Sequence, residues 1–88
     1  MSLVKLFGHL RDYAGGSEFE VAGQTVGEVL ARLCADNESL HNAIYDQDGE
    51  LSHVRVLLDG RDVELAQGLN TGLDDSDQLA VFPPIAGG

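Results

Sequence analysis

The sequence predicts an α+β domain, a mixed sheet of about five strands with one main helix packed across it. Three observations carry the prediction. Period-two alternation recurs in short segments near both ends of the chain, a single strongly amphipathic helical stripe follows a capping signal, and an Asp-Gly turn sits between two strand-like runs. At 88 residues the chain has enough apolar surface for one core and too little for two.

The elements follow in order. Residues 3–7 are rich in apolar residues with β character, and Phe19 and Val21 alternate with Glu18 and Glu20 as in a half-buried strand. Gly15-Gly16-Ser17 marks a turn between them, and residues 10–14 give an irregular or briefly helical connection. Thr25 with Glu28 three residues later matches a capping box, after which Val26, Val29, Leu30, Leu33 and Cys34 fall on one helical stripe. That helix is expected to stop near Asp36-Asn37, with Leu40, Ala43 and Ile44 forming a short second turn before the breaker Asp48-Gly49.

Residues 54–58 read as a strand, Asp59-Gly60 as a two-residue hairpin turn, and residues 61–65 as the returning strand. Asp74-Asp75-Ser76-Asp77 is a polar turn into a last strand, residues 78–82, which Pro83-Pro84 must end because proline offers no amide hydrogen to a ladder. One helix across a sheet in this order is the β-grasp arrangement. Residues 1–82 therefore read as the domain and 83–88 as a flexible C-terminal tail.

Composition narrows the function classes. Fifteen acidic residues against five basic ones give a net charge of −10, which opposes binding to nucleic acid or anionic membrane. Lys5 is the only lysine, and an acid-rich, lysine-poor balance suits a salt-loving source. A lone cysteine cannot form an internal disulfide, and the N-terminal residues carry no secretory pattern, so a soluble cytoplasmic protein is expected.

The usual catalytic groups are unpromising. Cys34 lies on the apolar helical stripe, where a lone cysteine is most simply a small hydrophobe. His9, His41 and His53 have no ligand spacing for zinc, no phosphate-binding glycine loop is present, and the carboxylates are scattered. No metal or bound cofactor is expected. What remains is the end of the chain, where Gly87-Gly88 removes side chains so that the backbone can thread a narrow channel and present its carboxylate. The proline pair favours extended backbone and projects this arm from the sheet. A frayed terminus is the plain alternative.

The second candidate feature is the uncovered sheet face. If Val4, Leu6, Val54, Val56, Leu58, Leu79 and Val81 point toward the helix, alternation sends Phe7, Leu57 and Phe82 to the other side. Apolar residues gathered there from three strands predict a protein-binding patch, with Arg11 adding charge at its rim. The competing reading places them in a minor core under the segment around residue 40.

The ending Phe82-Pro83-Pro84-Ile85-Ala86-Gly87-Gly88, reached through Leu79-Ala80-Val81, resembles the C-terminus of MoaD-type sulfur carriers of the ubiquitin-like superfamily. The likeness extends to Val4-Lys5-Leu6-Phe7, to the helix entry Thr25-Val26-Gly27-Glu28, and to Val56-Leu57-Leu58-Asp59-Gly60-Arg61. Small archaeal modifier proteins share the pattern and are often acidic. A thiazole-pathway carrier also ends in Gly-Gly, but such chains are typically shorter and lack the Phe-Pro-Pro approach.

The resemblance implies a carrier that is not itself an enzyme. An E1-like adenylating enzyme would use ATP to convert the Gly88 carboxylate to an acyl adenylate, and sulfur from persulfide or sulfide would displace AMP to leave a thiocarboxylate. In molybdopterin synthase such a tail, here Pro83, Pro84, Ile85, Ala86, Gly87 and Gly88, inserts into the larger, MoaE-type subunit to deliver sulfur to the pterin precursor. Phe7, Leu57 and Phe82 match the family's apolar contact positions. For a modifier, the implied acceptors are lysines of target proteins joined through an isopeptide bond to Gly88.

Overall fold

A computed structural model describes residues 1–83. The chain runs β1 (Ser2–Leu6), α1 (Leu10–Ala14), β2 (Glu18–Val21), α2 (Val26–Cys34), α3 (Glu38–Ile44), β3 (Arg55–Leu58), β4 (Arg61–Asp62), two single 3₁₀ turns (Val63–Leu65 and Gly68–Asn70) and β5 (Gln78–Phe82). The five strands form one sheet in the order β2-β1-β5-β3-β4. β1 and β5 pair in parallel at its centre, and the remaining pairs are antiparallel. This is the β-grasp fold anticipated above.

Helix α2 forms where the stripe predicts it. Thr25 has extended backbone and its hydroxyl oxygen accepts a hydrogen bond from the Glu28 amide, satisfying one of the free donors of the first turn. Glu28 does not return the bond to Thr25 as a full capping box would; its carboxylate instead pairs with Arg32 at 3.2 Å. Val26, Val29, Leu30 and Cys34 are buried, and with Val4, Leu6, Val56, Leu79 and Val81 they make the core between helix and sheet.

Two expectations need correction. The segment after α2 is a full helix rather than a short turn, because Asn37 acts as its cap. The Asn37 side-chain oxygen accepts from the Leu40 amide, and Leu40 and Ile44, four residues apart, reach the core at 1% and 0% exposure. The strand after Asp59-Gly60 is two residues long rather than five. Asp62 turns inward on the chain and accepts from the Glu64 amide, which starts a 3₁₀ turn that buries Val63 and leaves Leu65 exposed. Asp59 (φ 49°) and Gly60 (φ 88°) both take the left-handed conformation that a two-residue hairpin turn demands.

Candidate functional site

All three helices lie on one side of the sheet, so the other side is open. Strand alternation decides what it shows. Val4, Leu6, Val54, Val56, Leu79 and Val81 are buried under the helices, and Leu58 packs partly against the same core. Phe7 follows β1 on the opposite side and is 38% exposed, while Leu57 and Phe82 are half-buried. The alternative of a minor core under the segment around residue 40 fails, since Leu40 and Ile44 of α3 belong to the main core.

The three apolar residues are brought together, not merely placed on one face. Phe7 and Phe82 stack with ring centroids 4.4 Å apart and planes 9° from parallel. The Phe7 amide donates to the Val81 carbonyl at 3.1 Å, extending the parallel ladder by one bond beyond β1. Leu57 pairs in register with Ala80, and Phe82 with Arg55. Phe7, Phe82 and Leu57 thus line a groove that also holds Gly8, His53, Arg55 and Pro83.

Arg55 was not among the residues expected here. It lies two positions before Leu57, so alternation alone puts it on the same face; its guanidinium pairs with Asp62 of β4 at 3.5 Å. Lys5 shares the face as well, in register with Ala80 on one side and Glu18 on the other. Arg11 belongs to α1 rather than to the end of a strand. It is exposed beside the groove, with its Nε donating to the Gly8 carbonyl at 3.3 Å. Two of the five basic residues therefore stand on the open face and a third at its border, in a chain whose net charge is −10.

The root of the tail is Pro83, which packs against Gly8. Pro84, Ile85, Ala86, Gly87 and Gly88 lie outside the described residues.

Among the described residues, the one thiol is withdrawn from nucleophilic chemistry. Cys34 is 3% exposed, and burial pushes its thiol up to about 11. Tyr45 is pushed up to about 12, first by burial and then by the nearby Cys34. Cys34, His41 and Tyr45 line a separate surface depression between α2 and α3, with the His41 and Tyr45 rings 4.9 Å apart. His9 stands edge-on to Tyr13, and among the described residues no three His, Cys, Asp or Glu side chains gather as a metal cluster.

Comparison with known proteins agrees with this geometry. The sequence model of the ThiS family matches residues 4–88. Small archaeal modifier protein 3 of Haloferax volcanii is 48% identical over 65 residues, 73% of this chain and 70% of that one. A putative sulfur carrier protein of Archaeoglobus fulgidus is 32% identical over 75 residues, 84% of this chain and 85% of that one. Among solved structures, small archaeal modifier protein 1 of Methanosarcina acetivorans superposes with a TM-score of 0.87 at 34% identity, covering 99% of this chain and 95% of that one. The Amycolatopsis orientalis BexX/CysO complex contains a chain that superposes with a TM-score of 0.86 at 27% identity, covering the whole of both.

Proposed function

This chain belongs to the ThiS family of ubiquitin-like sulfur carriers and protein modifiers, and we propose that within it the chain is a sulfur carrier for molybdopterin-type cofactor synthesis. The observation that carries this reading is the join between tail and platform. The Phe7–Phe82 stack ties the root of the Gly-Gly tail to an open apolar face, so a partner that docks on the face receives the tail at a fixed place.

The steps follow from carboxylate chemistry. A carboxylate is a poor electrophile. An E1-like partner activates it by letting a Gly88 oxygen attack the α-phosphorus of ATP with loss of pyrophosphate. A sulfide-level sulfur then adds to the carbonyl carbon and AMP leaves, so that the C–O bond to phosphate is exchanged for a C–S bond. The resulting thiocarboxylate stores sulfur covalently until a larger, MoaE-type subunit receives the same tail. The carrier supplies the carboxylate, the length of the arm and the docking face; ATP binds to the partner.

Docking rests on apolar contact. The exposed parts of Phe7, Phe82 and Leu57 are the anchors, and Arg55, Lys5 and Arg11 border them, which favours a partner with carboxylates around an apolar centre. BexX and CysO form a complex in the Amycolatopsis structure, which supports partner docking as a property of this fold.

A second reading is favoured by the 48% identity to a small archaeal modifier: the activated Gly88 carbonyl is attacked instead by a lysine amine of a target protein, forming an isopeptide bond with loss of AMP. Intact mass of the protein purified from its own host separates the two. Carriage predicts the gain of one sulfur-for-oxygen exchange at the C-terminus, whereas conjugation predicts ladders on a blot against a tagged copy. Deleting Gly88 abolishes both signals, and Phe82→Glu lowers both by blocking docking. Persistence of either signal without Gly88 overturns the proposal.

A further inference from the structure

Gly8 lies where β1 gives way to α1, with φ of 62°. A Cβ added there would sit 2.6 Å from Pro83 Cγ and 3.3 Å from Pro83 Cδ. Both are atoms of a closed ring, which cannot rotate aside as the end of a flexible chain would. Gly8 therefore has two separate reasons to lack a side chain, one from its own backbone and one from a residue 75 positions later.

The neighbours repeat the pairing. Phe7 stacks on Phe82, and Gly8 receives Pro83, so two consecutive residues leaving β1 hold two consecutive residues leaving β5. Gly8 is itself fixed from the other side, because its carbonyl accepts hydrogen bonds from the Arg11 amide and from Arg11 Nε, both at 3.3 Å. Thus α1 braces Gly8, and Gly8 supports the proline ring.

We propose that Gly8 is a positioning residue, the seat on which Pro83 rests, and that this contact sets the direction in which the chain leaves β5 toward Gly88. The inference rests on the reading that partner enzymes act on Gly88. Its leverage is geometric. Only five residues follow Pro83, a span of at most about 17 Å, so the point at which the chain leaves the groove bounds where its end can reach. A misplacement of about 1 Å at a reacting atom can cost on the order of 100-fold in rate.

Asparagine separates the two demands on Gly8, because it tolerates left-handed backbone yet brings a Cβ. The test is ATP–pyrophosphate exchange catalysed by the host's E1-like enzyme with saturating and limiting carrier. Gly8→Asn is expected to lower kcat about tenfold or more while KM for the carrier changes by a smaller factor, since Gly8 lines the groove but the apolar anchors Phe7, Leu57 and Phe82 are kept. A merely structural defect would raise KM through loss of folded protein. Pro83→Ala removes the ring, and the double variant Gly8→Asn/Pro83→Ala is expected to be no worse than Pro83→Ala alone, because the two positions act through one contact.

Nuclear Overhauser contacts between Gly8 Hα and the Pro83 ring in the free protein check the seat without any partner. Wild-type kcat in Gly8→Asn, losses that multiply in the double variant, or absence of those contacts overturns the proposal. No exchange with the wild-type carrier overturns instead the activation of Gly88 on which it rests.

Discussion

Thr25 caps α2 through a single hydrogen bond to the Glu28 amide, so its replacement has a local and calculable effect. Thr25→Ala is expected to cost about 1 kcal/mol and to lower Tm by roughly 4–8 °C, read by thermal denaturation. Cys34 provides a pH signature. Its thiol stays protonated up to about 11 in the folded chain and only to about 9 when exposed, so the folded state holds the proton more tightly. Stability from this group is complete below pH 9 and is lost as pH rises from 9 to 11. Urea titrations across that range should show the decline, and Cys34→Ala should remove this group's share of it while Tyr45 still contributes nearer pH 10–12. At this scale the open-face positions of Phe7, Leu57 and Phe82 were legible because strand alternation needs only local sequence. Gly8 was not legible, since what constrains it is a ring contributed by the far end of the chain.

Helix α3 contributes more than its seven residues suggest. Leu40 is buried beside Ile44 under the same sheet that α2 covers, and Leu40→Ala is expected to cost about 2–5 kcal/mol in chemical denaturation. Leu65, on the 3₁₀ turn after β4, is 88% exposed, and Leu65→Ser should change stability by no more than about 0.5 kcal/mol. The contrast follows from two side-chain oxygens. Asn37 reads as a helix stop and Asp62 as part of a returning strand, yet each accepts a backbone amide and starts a helical turn. Such residues stop one element and open the next, and which they do depends on whether the following apolar residues find a core. Leu40 and Ile44 both do, so the turn grows into a helix; after Asp62 only Val63 does while Leu65 faces solvent, and the helical turn stops after three residues. The β1–β2 hairpin and α2 were readable because their apolar period runs uninterrupted, as in Phe19 and Val21 or Val26, Val29 and Leu30.

At the scale of the whole molecule, a net charge of −10 on 88 residues loads the folded state with self-repulsion. Raising salt from about 0.01 M to about 1 M shortens the screening length from roughly 30 Å to roughly 3 Å. Tm is expected to climb over that range, and a flat profile would show that the acidic residues are spaced widely enough not to oppose folding. The acidic turn near β5 has its own local support, since the Asp74 amide donates to the Asp77 carboxylate at 2.7 Å.

The parallel pairing of β1 with β5 has a consequence in time as well as in space. The strand at the middle of the sheet is made after the other four, and both its neighbours wait for it. Joining residues 3–6 to residues 78–81 closes almost the entire chain into one loop, a long-range pairing of the kind that slows folding. Until that happens Phe7 has no Phe82 to stack on and Gly8 has no Pro83. A nascent or misfolded copy therefore carries no platform, and under the proposed function a partner that docks there would act only on copies that have finished folding.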